Sequence, residues 1–322
     1  MGDIIRARFM SSNNYNNFFK NRLVLVTGGA GFIGSHIAHH LARNGAHVRV
    51  LDDFSTGHRS NLSGMDVSIT EGSILEASAL NEAIRGCSLV FHEAAFVSVP
   101  DSFDNESECF KINVEGTKAV LEAAKNESCD RVMFASSAAC YGSNPNLPSC
   151  EDDKISAESP YAQSKVDGEE LMRYAGLDTV SFRYFNVFGE RQDPCSQYAA
   201  VVSAFVDAIN NNRIPTVFGD GKQSRDFTHV DNIVHANLLA ASHPKPLAGE
   251  IFNVGTGSML SLLELLQALA NLDDVPVDFQ PVRTGDVTYS CANINKITEL
   301  LGYSPVSVTE DSLHKLLKYS AC

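Results

Sequence analysis

The apolar and polar positions after about residue 20 alternate between two periodicities. Short apolar runs bounded by turn-forming residues predict buried strands, and the stretches between them carry the three-to-four-residue apolar spacing of a helix face. The strands are predicted at 23–26, 47–51, 67–70, 88–92, 131–136 and 179–184, and the helices at 35–44, 76–85, 105–125 and 161–174. This alternation predicts an α/β fold, a doubly wound parallel sheet with right-handed crossovers.

A glycine-rich turn, TGGAGFIG, follows the first predicted strand and precedes a helix. Strand, glycines and helix in this order present a helix N-terminus to a pyrophosphate, with Gly28, Gly31 and Gly34 in the turn. The next strand ends on Asp52, 18 residues past Gly34, where a carboxylate would bind the adenosine ribose hydroxyls. The sequence therefore predicts a dinucleotide site.

The charge around that acid bears on the choice of cofactor. Asp52 and Asp53 are adjacent, and two carboxylates should repel a 2'-phosphate, so NAD is predicted rather than NADP. Arg59 is a cation close by in the sequence, so NADP stays the alternative cofactor.

The pattern loosens after about residue 186, where apolar helices are predicted near 199–209, 230–241, 260–270 and 312–318. We expect this half to cover the cofactor and to form the substrate site. The predicted domains are an N-terminal extension at 1–20, an NAD-binding domain at 21–185 and a mainly substrate-binding domain at 186–322, whose chain crosses back to the sheet. The extension is rich in serine and asparagine and is expected to be mobile or loosely docked.

Composition sets limits on the classes of partner. A chain of 322 residues that is 44% hydrophobic can bury a large core, and a net charge of -14 argues against nucleic acid and anionic membranes. The eight cysteines are scattered without a CxxC pair or metal-ligand spacing. We therefore expect reduced thiols, no metal site and a cytoplasmic protein. We also expect no membrane span and no signal segment, because no apolar run is long enough for the first and the N-terminus lacks the pattern of the second.

The sequence SPYAQSK introduces the last helix of the first half. Ser159 is a good N-cap and Pro160 a good first helical residue, so Tyr161 and Lys165 should lie one turn apart on one face. An adjacent cation favours the ionised form of a phenol, so the pair, together with a nicotinamide cation in a dry pocket, is predicted to supply a base near neutral pH. The same spacing also occurs as ordinary helix decoration, but a preceding dinucleotide site favours the functional interpretation.

The segment FASSAACYG follows the strand at 131–136. Ligands of a doubly wound sheet meet the carboxyl ends of strands, so Ser137 is predicted to face the nicotinamide and the substrate oxygen on which Tyr161 acts. The alternative is a turn serine that hydrogen-bonds its own backbone.

These motifs, together with RYFNVFG and SRDFTHVDN, resemble the extended short-chain dehydrogenase/reductase family, and within it the UDP-hexose 4-epimerases. The resemblance covers nearly all of the chain after residue 20. The stretches HEAA, SVP, ERQDP and YAAV are similar to those of the branch that acts on UDP-N-acetylglucosamine and UDP-N-acetylgalactosamine.

The resemblance implies roles for individual residues. Tyr161 would be the acid and base, Lys165 its electrostatic partner and a ligand of the nicotinamide ribose, and Ser137 the hydroxyl that orients the substrate. The implied NAD contacts are Gly28, Gly31, Phe32, Ile33, Gly34, Asp52, Ser73, Ile74, Ala94, Tyr161 and Lys165. The implied UDP-sugar contacts are Ser98, Ser137, Asn186, Gln192, Arg225, Arg283, Asp286 and Ser290.

Two positions modify the implied site. Ser73 stands where the family commonly has an aspartate, so an adenine contact is expected to be weakened or remade. Ser290 stands where members restricted to UDP-glucose and UDP-galactose carry a bulky tyrosine. A small side chain would leave room for a 2-acetamido group, unless Ser290 only packs against a loop and Tyr289 fills the space.

The implied reaction is NAD-dependent inversion of C4' of a UDP-hexose through a 4-keto sugar, in a homodimer paired through the 105–125 segment and the Tyr161 helix. Ala138 and Ala139 follow Ser137 where 4,6-dehydratases place an acidic pair, which counts against dehydration. A UDP-uronate 4-epimerase or another nucleotide-sugar enzyme stays the alternative. A non-catalytic NAD-binding regulator is less favoured, because the tyrosine, lysine and serine are all retained.

Overall fold

A computed structural model describes residues 15, 17–144, 146–193, 201–270, 276–282, 288–306, 313, 316 and 317. The strands in these residues are β1 (Leu23–Thr27), β2 (His47–Asp52), β3 (Val67–Glu71), β4 (Leu89–His92), β5 (Arg131–Ser137), β6 (Thr179–Tyr184), β7 (Val187–Phe188), β8 (Thr216–Phe218), β9 (Ser224–Arg225), β10 (Thr228–His229), β11 (Glu250–Val254), β12 (Leu260–Ser261), β13 (Asp278–Gln280) and β14 (Tyr289–Ser290). The α-helices are α1 (Phe32–Arg43), α2 (Ala77–Ile84), α3 (Asp101–Asp104), α4 (Glu106–Phe110), α5 (Gly116–Asn126), α6 (Pro160–Tyr174), α7 (Val201–Asn210), α8 (Val230–Ser242), α9 (Leu262–Ala270) and α10 (Asn295–Leu301). The 3-10 turns are Arg59–Leu62 and Ala138–Tyr141, and one π-helical turn covers Lys111–Glu115.

The main sheet has seven strands in the order β11-β6-β5-β4-β1-β2-β3, and every neighbouring pair is parallel. The strand order reverses between β1 and β4, which pair with Thr27 opposite His92. In an open α/β sheet this reversal opens a crevice at the carboxyl ends of the strands, where ligands bind. The predicted doubly wound parallel sheet is therefore confirmed.

Helices cover both faces of the sheet, because its strands are apolar on both sides. Ile37 of α1 and Ile233 of α8 lie in the core of one face. Leu80 of α2, Val120 of α5 and Met172 of α6 lie in the core of the other. The helix predicted at 105–125 is present as α4, the π-helical turn and α5 in succession.

The second half forms its own apolar core and also returns to the sheet. Phe205 of α7, Val217 of β8 and Leu265 of α9 pack together with Leu313 and Leu316. However, β11 pairs with β6 at the edge of the main sheet, and α8 packs against α1. The helices predicted near 199–209, 230–241 and 260–270 correspond to α7, α8 and α9, whereas most of 312–318 lies outside the described residues.

The end of the N-terminal extension is docked on the protein. Tyr15 and Phe19 are buried in the same core as α1 and α8, and the Tyr15 ring lies 6.1 Å from that of Phe19 and 6.4 Å from that of His235. Aromatic burial of this kind stabilises a segment against the fold. The expectation of a mobile or loosely docked extension is thus wrong for these two residues, while positions 1–14 lie outside the described residues.

The six cysteines within the described residues are free thiols, and Cys195 and Cys322 lie outside them. Within the described part of the chain, no helix has both the length and the apolar content to cross a bilayer.

Candidate active site

One cleft, with a volume of about 1430 Å³, runs across the carboxyl ends of the central strands. The predicted site residues that line it are Gly28, Gly31, Phe32, Ile33, Gly34, Asp52, Ser73, Ile74, Ala94, Ser137, Tyr161, Lys165, Asn186, Gln192, Arg225 and Ser290. The tertiary structure therefore brings both halves of the predicted site into one continuous space.

Within the described part of the chain, Ser98 is a predicted substrate residue that is not part of that lining. The Ser98 hydroxyl accepts a hydrogen bond from the Asp101 amide, 3.1 Å away, at the start of α3. Its neighbours Val97 and Val99 line the cleft instead. The Ser98 hydroxyl stabilises a local turn, and its substrate contact stays a prediction from the sequence. Arg283 and Asp286 lie outside the described residues.

The glycine-rich turn is packed too tightly for side chains. Gly28 has φ +65°, and a Cβ placed on it would lie 2.6 Å from the Ala94 amide nitrogen. A Cβ on Gly34 would lie 2.2 Å from the Gly28 carbonyl oxygen. These contacts require glycine, because real Cβ atoms do not approach backbone atoms so closely.

The start of α1 suits an anion. Its N-cap residue, Gly31, has no side chain to cap the helix, and its first turn contains no acidic residue. The first amide groups of a helix lack intrahelical acceptors and carry partial positive charge, so this end favours a pyrophosphate.

The Asp52 carboxylate is fixed at the end of β2, opposite the glycine-rich turn. One oxygen accepts from the Ala30 amide at 2.8 Å and the other from the Phe54 amide at 2.9 Å. The side chain is 7% exposed, and burial raises the pKa of its carboxyl. Together with the glycine-rich turn, this arrangement fits the adenosine ribose and pyrophosphate of a dinucleotide.

The tyrosine helix begins as the sequence predicts. The Ser159 hydroxyl accepts from the Ala162 amide at 3.1 Å, and Pro160 occupies the first helical position. Tyr161 and Lys165 lie on one helix face, with the lysine nitrogen 5.8 Å from the centroid of the tyrosine ring. The N-cap thus sets the register that brings these side chains together.

Ser137 connects β5 to this helix. Its hydroxyl acts on the Tyr161 phenol and favours the ionised form of that group. It also accepts from the Ala139 amide at 3.1 Å, as the N-cap of the following 3-10 turn. The catalytic and the turn interpretations of Ser137 are therefore compatible, because the hydroxyl oxygen has two lone pairs and one proton.

Lys165 is buried at 3% exposure and donates to the Ala135 carbonyl oxygen at 2.7 Å. Burial lowers the pKa of its ammonium to about 8, and the Glu93 carboxylate is the strongest of the groups that oppose this shift. Removal from water disfavours the charged form of a lysine, so a nearby carboxylate is needed to retain it.

The expected lowering of the Tyr161 pKa is not a property of the polypeptide alone. Burial raises the pKa of this phenol to about 12, and the hydrogen bond from Ser137 opposes that shift only in part. The sequence attributes the lowered pKa to Lys165 together with a nicotinamide cation. The polypeptide supplies only the lysine charge, and that ammonium is bound to a backbone carbonyl. A base near neutral pH requires further positive charge in the cleft.

The substrate end of the cleft is built by short strands of the second half. β14 pairs with β9, which places Ser290 opposite Arg225, and both side chains line the cleft together with Tyr289. The side-chain amide of Asn186 donates to the Asp226 carbonyl oxygen at 3.3 Å. The side-chain amide of Gln192 donates to the Val187 carbonyl oxygen at 3.0 Å. These contacts hold polar groups around one end of the cleft.

Some functional candidates had not been predicted from the sequence. Glu93, which directly follows β4, and Tyr184, which ends β6, both line the cleft and share a hydrogen bond of 3.0 Å. The rule that pointed to Asp52, a polar residue at the carboxyl end of a strand, would also have found Glu93. The contact with Tyr184 has no local sequence signal.

A buried polar network supports the site from behind. Arg183 forms a bidentate pair with Glu169 at 2.8 and 2.7 Å, and the Ser136 hydroxyl donates to the same carboxylate at 2.5 Å. Ser136 precedes Ser137, and Glu169 lies one turn after Lys165. The network therefore joins β5, β6 and α6 directly beneath the reactive side chains.

Comparisons with known proteins agree with this geometry. Residues 24–255 match the model of the NAD dependent epimerase/dehydratase family. The chain is 35% identical to the solved UDP-N-acetylglucosamine 4-epimerase of Methanobrevibacter ruminantium M1, in complex with UDP-N-acetylmuramic acid, with a TM-score of 0.88 over 93% of this chain and 98% of that one. It is 34% identical over 308 residues to a UDP-glucose 4-epimerase of Mycolicibacterium smegmatis, over 92% of this chain and 97% of that protein.

A relative with a different reaction matches over a similar length. A UDP-N-acetyl-alpha-D-glucosaminuronate decarboxylase of Bacillus cytotoxicus is 31% identical over 314 residues, which cover 92% of this chain and 96% of that protein. Because the family model spans most of the chain and the relatives match over nearly their full lengths, the chain belongs to the NAD dependent epimerase/dehydratase family.

Proposed function

We propose that this protein is a UDP-hexose 4-epimerase that uses NAD to invert C4' of the sugar. The observation that carries the proposal is the place of Tyr161, Ser137 and Lys165. They lie in one cleft between the dinucleotide elements and the polar groups of the second half. A sugar held in that second half would have its reacting hydroxyl at the tyrosine.

NAD, when bound, would accept the hydride from C4' and return it to the opposite face of the resulting 4-keto sugar. Tyr161 removes the proton from the 4'-hydroxyl and later restores it. Ser137, which lines the same cleft as Tyr161, orients the sugar oxygen and shares the proton path. Lys165 adds positive charge beside the phenol and would hold the nicotinamide ribose.

Inversion requires a site that grips the UDP moiety and leaves the hexose free to turn. Arg225 and Asn186 are proposed to hold the diphosphate, with Gln192 near the sugar, and all three line the cleft. Arg283 and Asp286 keep their proposed roles at the phosphate and the uridine ribose as predictions from the sequence. An arginine against an acidic background attracts and orients a diphosphate.

The small side chain of Ser290 supports a substrate range that includes 2-acetamido sugars. Ser290 is partly exposed and lines the cleft in β14, opposite Arg225 in β9. We propose that UDP-N-acetylglucosamine and UDP-N-acetylgalactosamine are substrates together with UDP-glucose and UDP-galactose. A tyrosine at this position would fill the space beside the sugar.

A panel of UDP-sugars incubated with the protein, with products separated by chromatography, tests the reaction. Interconversion of C4' epimers without net NADH supports the proposal, whereas sugar binding without turnover would indicate a regulator. Ser290→Tyr should reduce turnover of UDP-N-acetylgalactosamine relative to UDP-galactose, with Ser63→Tyr at an exposed position outside the cleft as the control. An unchanged ratio in Ser290→Tyr would contradict the proposal that the size of this side chain limits the substrate range.

The matched decarboxylase keeps uronates as the second candidate substrates. Adding UDP-glucuronate and UDP-N-acetylglucosaminuronate to the panel, with detection of carbon dioxide, separates the two reactions. Faster turnover of a uronate than of any neutral hexose would replace the proposed substrate class.

We also propose that the protein is a cytoplasmic homodimer. The α5–α6 face carries a groove whose lining includes Leu171, Tyr174 and charged side chains such as Lys118 and Glu170, and the Tyr174 side chain is 74% exposed. A large exposed ring beside charges of both signs favours association with a second copy of this face. Light scattering of the purified protein measures the mass, and a monomer at assay concentration would contradict the dimer.

A further inference from the structure

Glu93 occupies a defined place at the carboxyl ends of the central strands. It follows β4 directly, and its carboxylate accepts a hydrogen bond from the Tyr184 hydroxyl over 3.0 Å. The Tyr184 oxygen in turn accepts from the amide nitrogen of the fully buried Asn237 on α8, at 2.8 Å. This chain of contacts holds the carboxylate at the wall of the cleft that Lys165 also lines. β4 pairs with β5 so that His92 lies opposite Phe134, and Glu93 therefore follows beside Ala135, whose carbonyl oxygen accepts the hydrogen bond from Lys165.

The Lys165 ammonium needs a compensating negative charge. It is 3% exposed and donates to the neutral carbonyl oxygen of Ala135. A buried cation without an anionic partner is strongly disfavoured. An acidic group near Lys165 must therefore supply that charge.

Among the described residues, four acidic groups act on Lys165. These are the carboxyls of Glu93 on the β4 exit and Glu169 on α6, and the thiols of Cys140 and Cys109. Burial raises the pKa of both thiols, so they are neutral near pH 7. Glu169 is bound bidentately by Arg183, which offsets its charge. Glu93, whose described hydrogen-bond partner is an uncharged phenol, remains as the effective anion.

We propose that Glu93 is a positioning residue for the reaction, whose carboxylate, held by Tyr184, keeps the buried Lys165 ammonium in its charged form. The catalytic consequence rests on the proposed function, since the reaction requires a charged lysine beside Tyr161. The electrostatic coupling itself does not depend on which substrate is used.

The titration behaviour of the two groups is consistent with this role. Burial raises the pKa of Glu93 to about 7, and the Tyr184 hydrogen bond and the Lys165 charge oppose that shift. Burial lowers the pKa of Lys165 to about 8, opposed most strongly by Glu93. Each group therefore stabilises the charged form of the other, and both are charged together only in a narrow range above neutral pH.

A direct test is the pKa of Lys165, measured by NMR on protein labelled with ¹³C at the lysine Cε and assigned with Lys165→Met. Glu93→Gln keeps an acceptor for Tyr184 but removes the charge, so the Lys165 pKa should fall by about one unit. Glu82→Gln, at an exposed position on α2, should leave it unchanged. An unchanged Lys165 pKa in Glu93→Gln would overturn the proposal.

The pH profile of turnover provides a readout that a merely structural role would not move. In Glu93→Gln the alkaline limb should move to lower pH, because the lysine loses its proton earlier. In Tyr184→Phe the acid limb should move to higher pH, because the ionised carboxylate loses its hydrogen bond. Lower activity with both limbs in place would overturn the proposal.

The two tests separate the possible failures. If no UDP-sugar is turned over, the proposed function fails while the NMR titration still decides the coupling of Glu93 to Lys165. If Glu93→Gln does not fold, the Lys165 pKa is measured by NMR in Tyr184→Phe instead. A fall in the Lys165 pKa is then expected, and an unchanged value overturns the inference.

Discussion

The ammonium of Lys165 donates a hydrogen bond to the carbonyl oxygen of Ala135 over 2.7 Å. Ala135 lies on β5 two residues before Ser137, so this bond fixes α6 against the end of that strand. The same helix face carries Tyr161, whose phenol meets Ser137. One contact thereby sets the position of all three reactive side chains.

Replacing the phenol tests the assignment of the acid and base. Tyr161→Phe should reduce turnover of UDP-hexoses by about a hundredfold or more, because a positioned acid–base group contributes on the order of 10²–10⁴ in rate. Tyr174→Phe, at the exposed end of the same helix, should retain wild-type turnover. Chromatographic initial rates measure both, and a Tyr161→Phe enzyme as fast as the wild type would end the proposed mechanism.

The buried Arg183–Glu169 pair beneath the site should contribute to the free energy of unfolding. Glu169→Gln leaves the Arg183 guanidinium buried without a charged partner, which costs about 3–5 kcal/mol of unfolding free energy. Asp207→Asn breaks the partly exposed pair with Arg213 and should cost about 1 kcal/mol or less. Urea denaturation compares the two variants. Equal losses would mean that the buried network contributes no more than a surface pair.

His92 should make the fold sensitive to acid. Its ring nitrogens are hydrogen-bonded to the Thr27 and Thr117 hydroxyls at 2.8 and 3.0 Å, and burial lowers its pKa from 6.5 to about 3. Since the unfolded chain binds the proton at higher pH than the folded chain, stability is lost as pH falls below about 6.5.

The size of that loss is measurable. Between pH 6.5 and 4.5, wild type should lose roughly 2 kcal/mol of unfolding free energy more than His92→Gln, by urea denaturation at each pH. His243→Gln, at a partly exposed position at the end of α8, serves as the control and should follow wild type. Parallel pH dependences for wild type and His92→Gln would contradict the prediction.

Asp52 should determine affinity for NAD and the preference over NADP. Asp52→Asn removes the charge expected to bind the adenosine ribose and to repel a 2'-phosphate, so NAD affinity should fall about tenfold or more, with a smaller change for NADP. Calorimetric titration of each cofactor measures the ratio. Asp66→Asn, at an exposed position before β3, should change neither affinity, and equal losses for both cofactors in Asp52→Asn would argue against a role in selection.

The sequence by itself determined the elements and the parts of the site that are encoded locally. The glycine turn before α1, the carboxylate at the end of β2 and the Ser159–Pro160 start of α6 were all predicted from neighbouring residues. Apolar periodicity, capping and backbone freedom depend on residues a few positions apart, so they can be recognised without a fold.

Only the tertiary structure decided which side chains meet and how far they are removed from water. Glu93 and Tyr184 are 91 positions apart in sequence and come together because β4, β5 and β6 are neighbours in the sheet. The raised pKa of Tyr161 likewise follows from packing that no local pattern specifies. Desolvation depends on everything that surrounds a group, and that environment exists only once distant strands have been placed side by side.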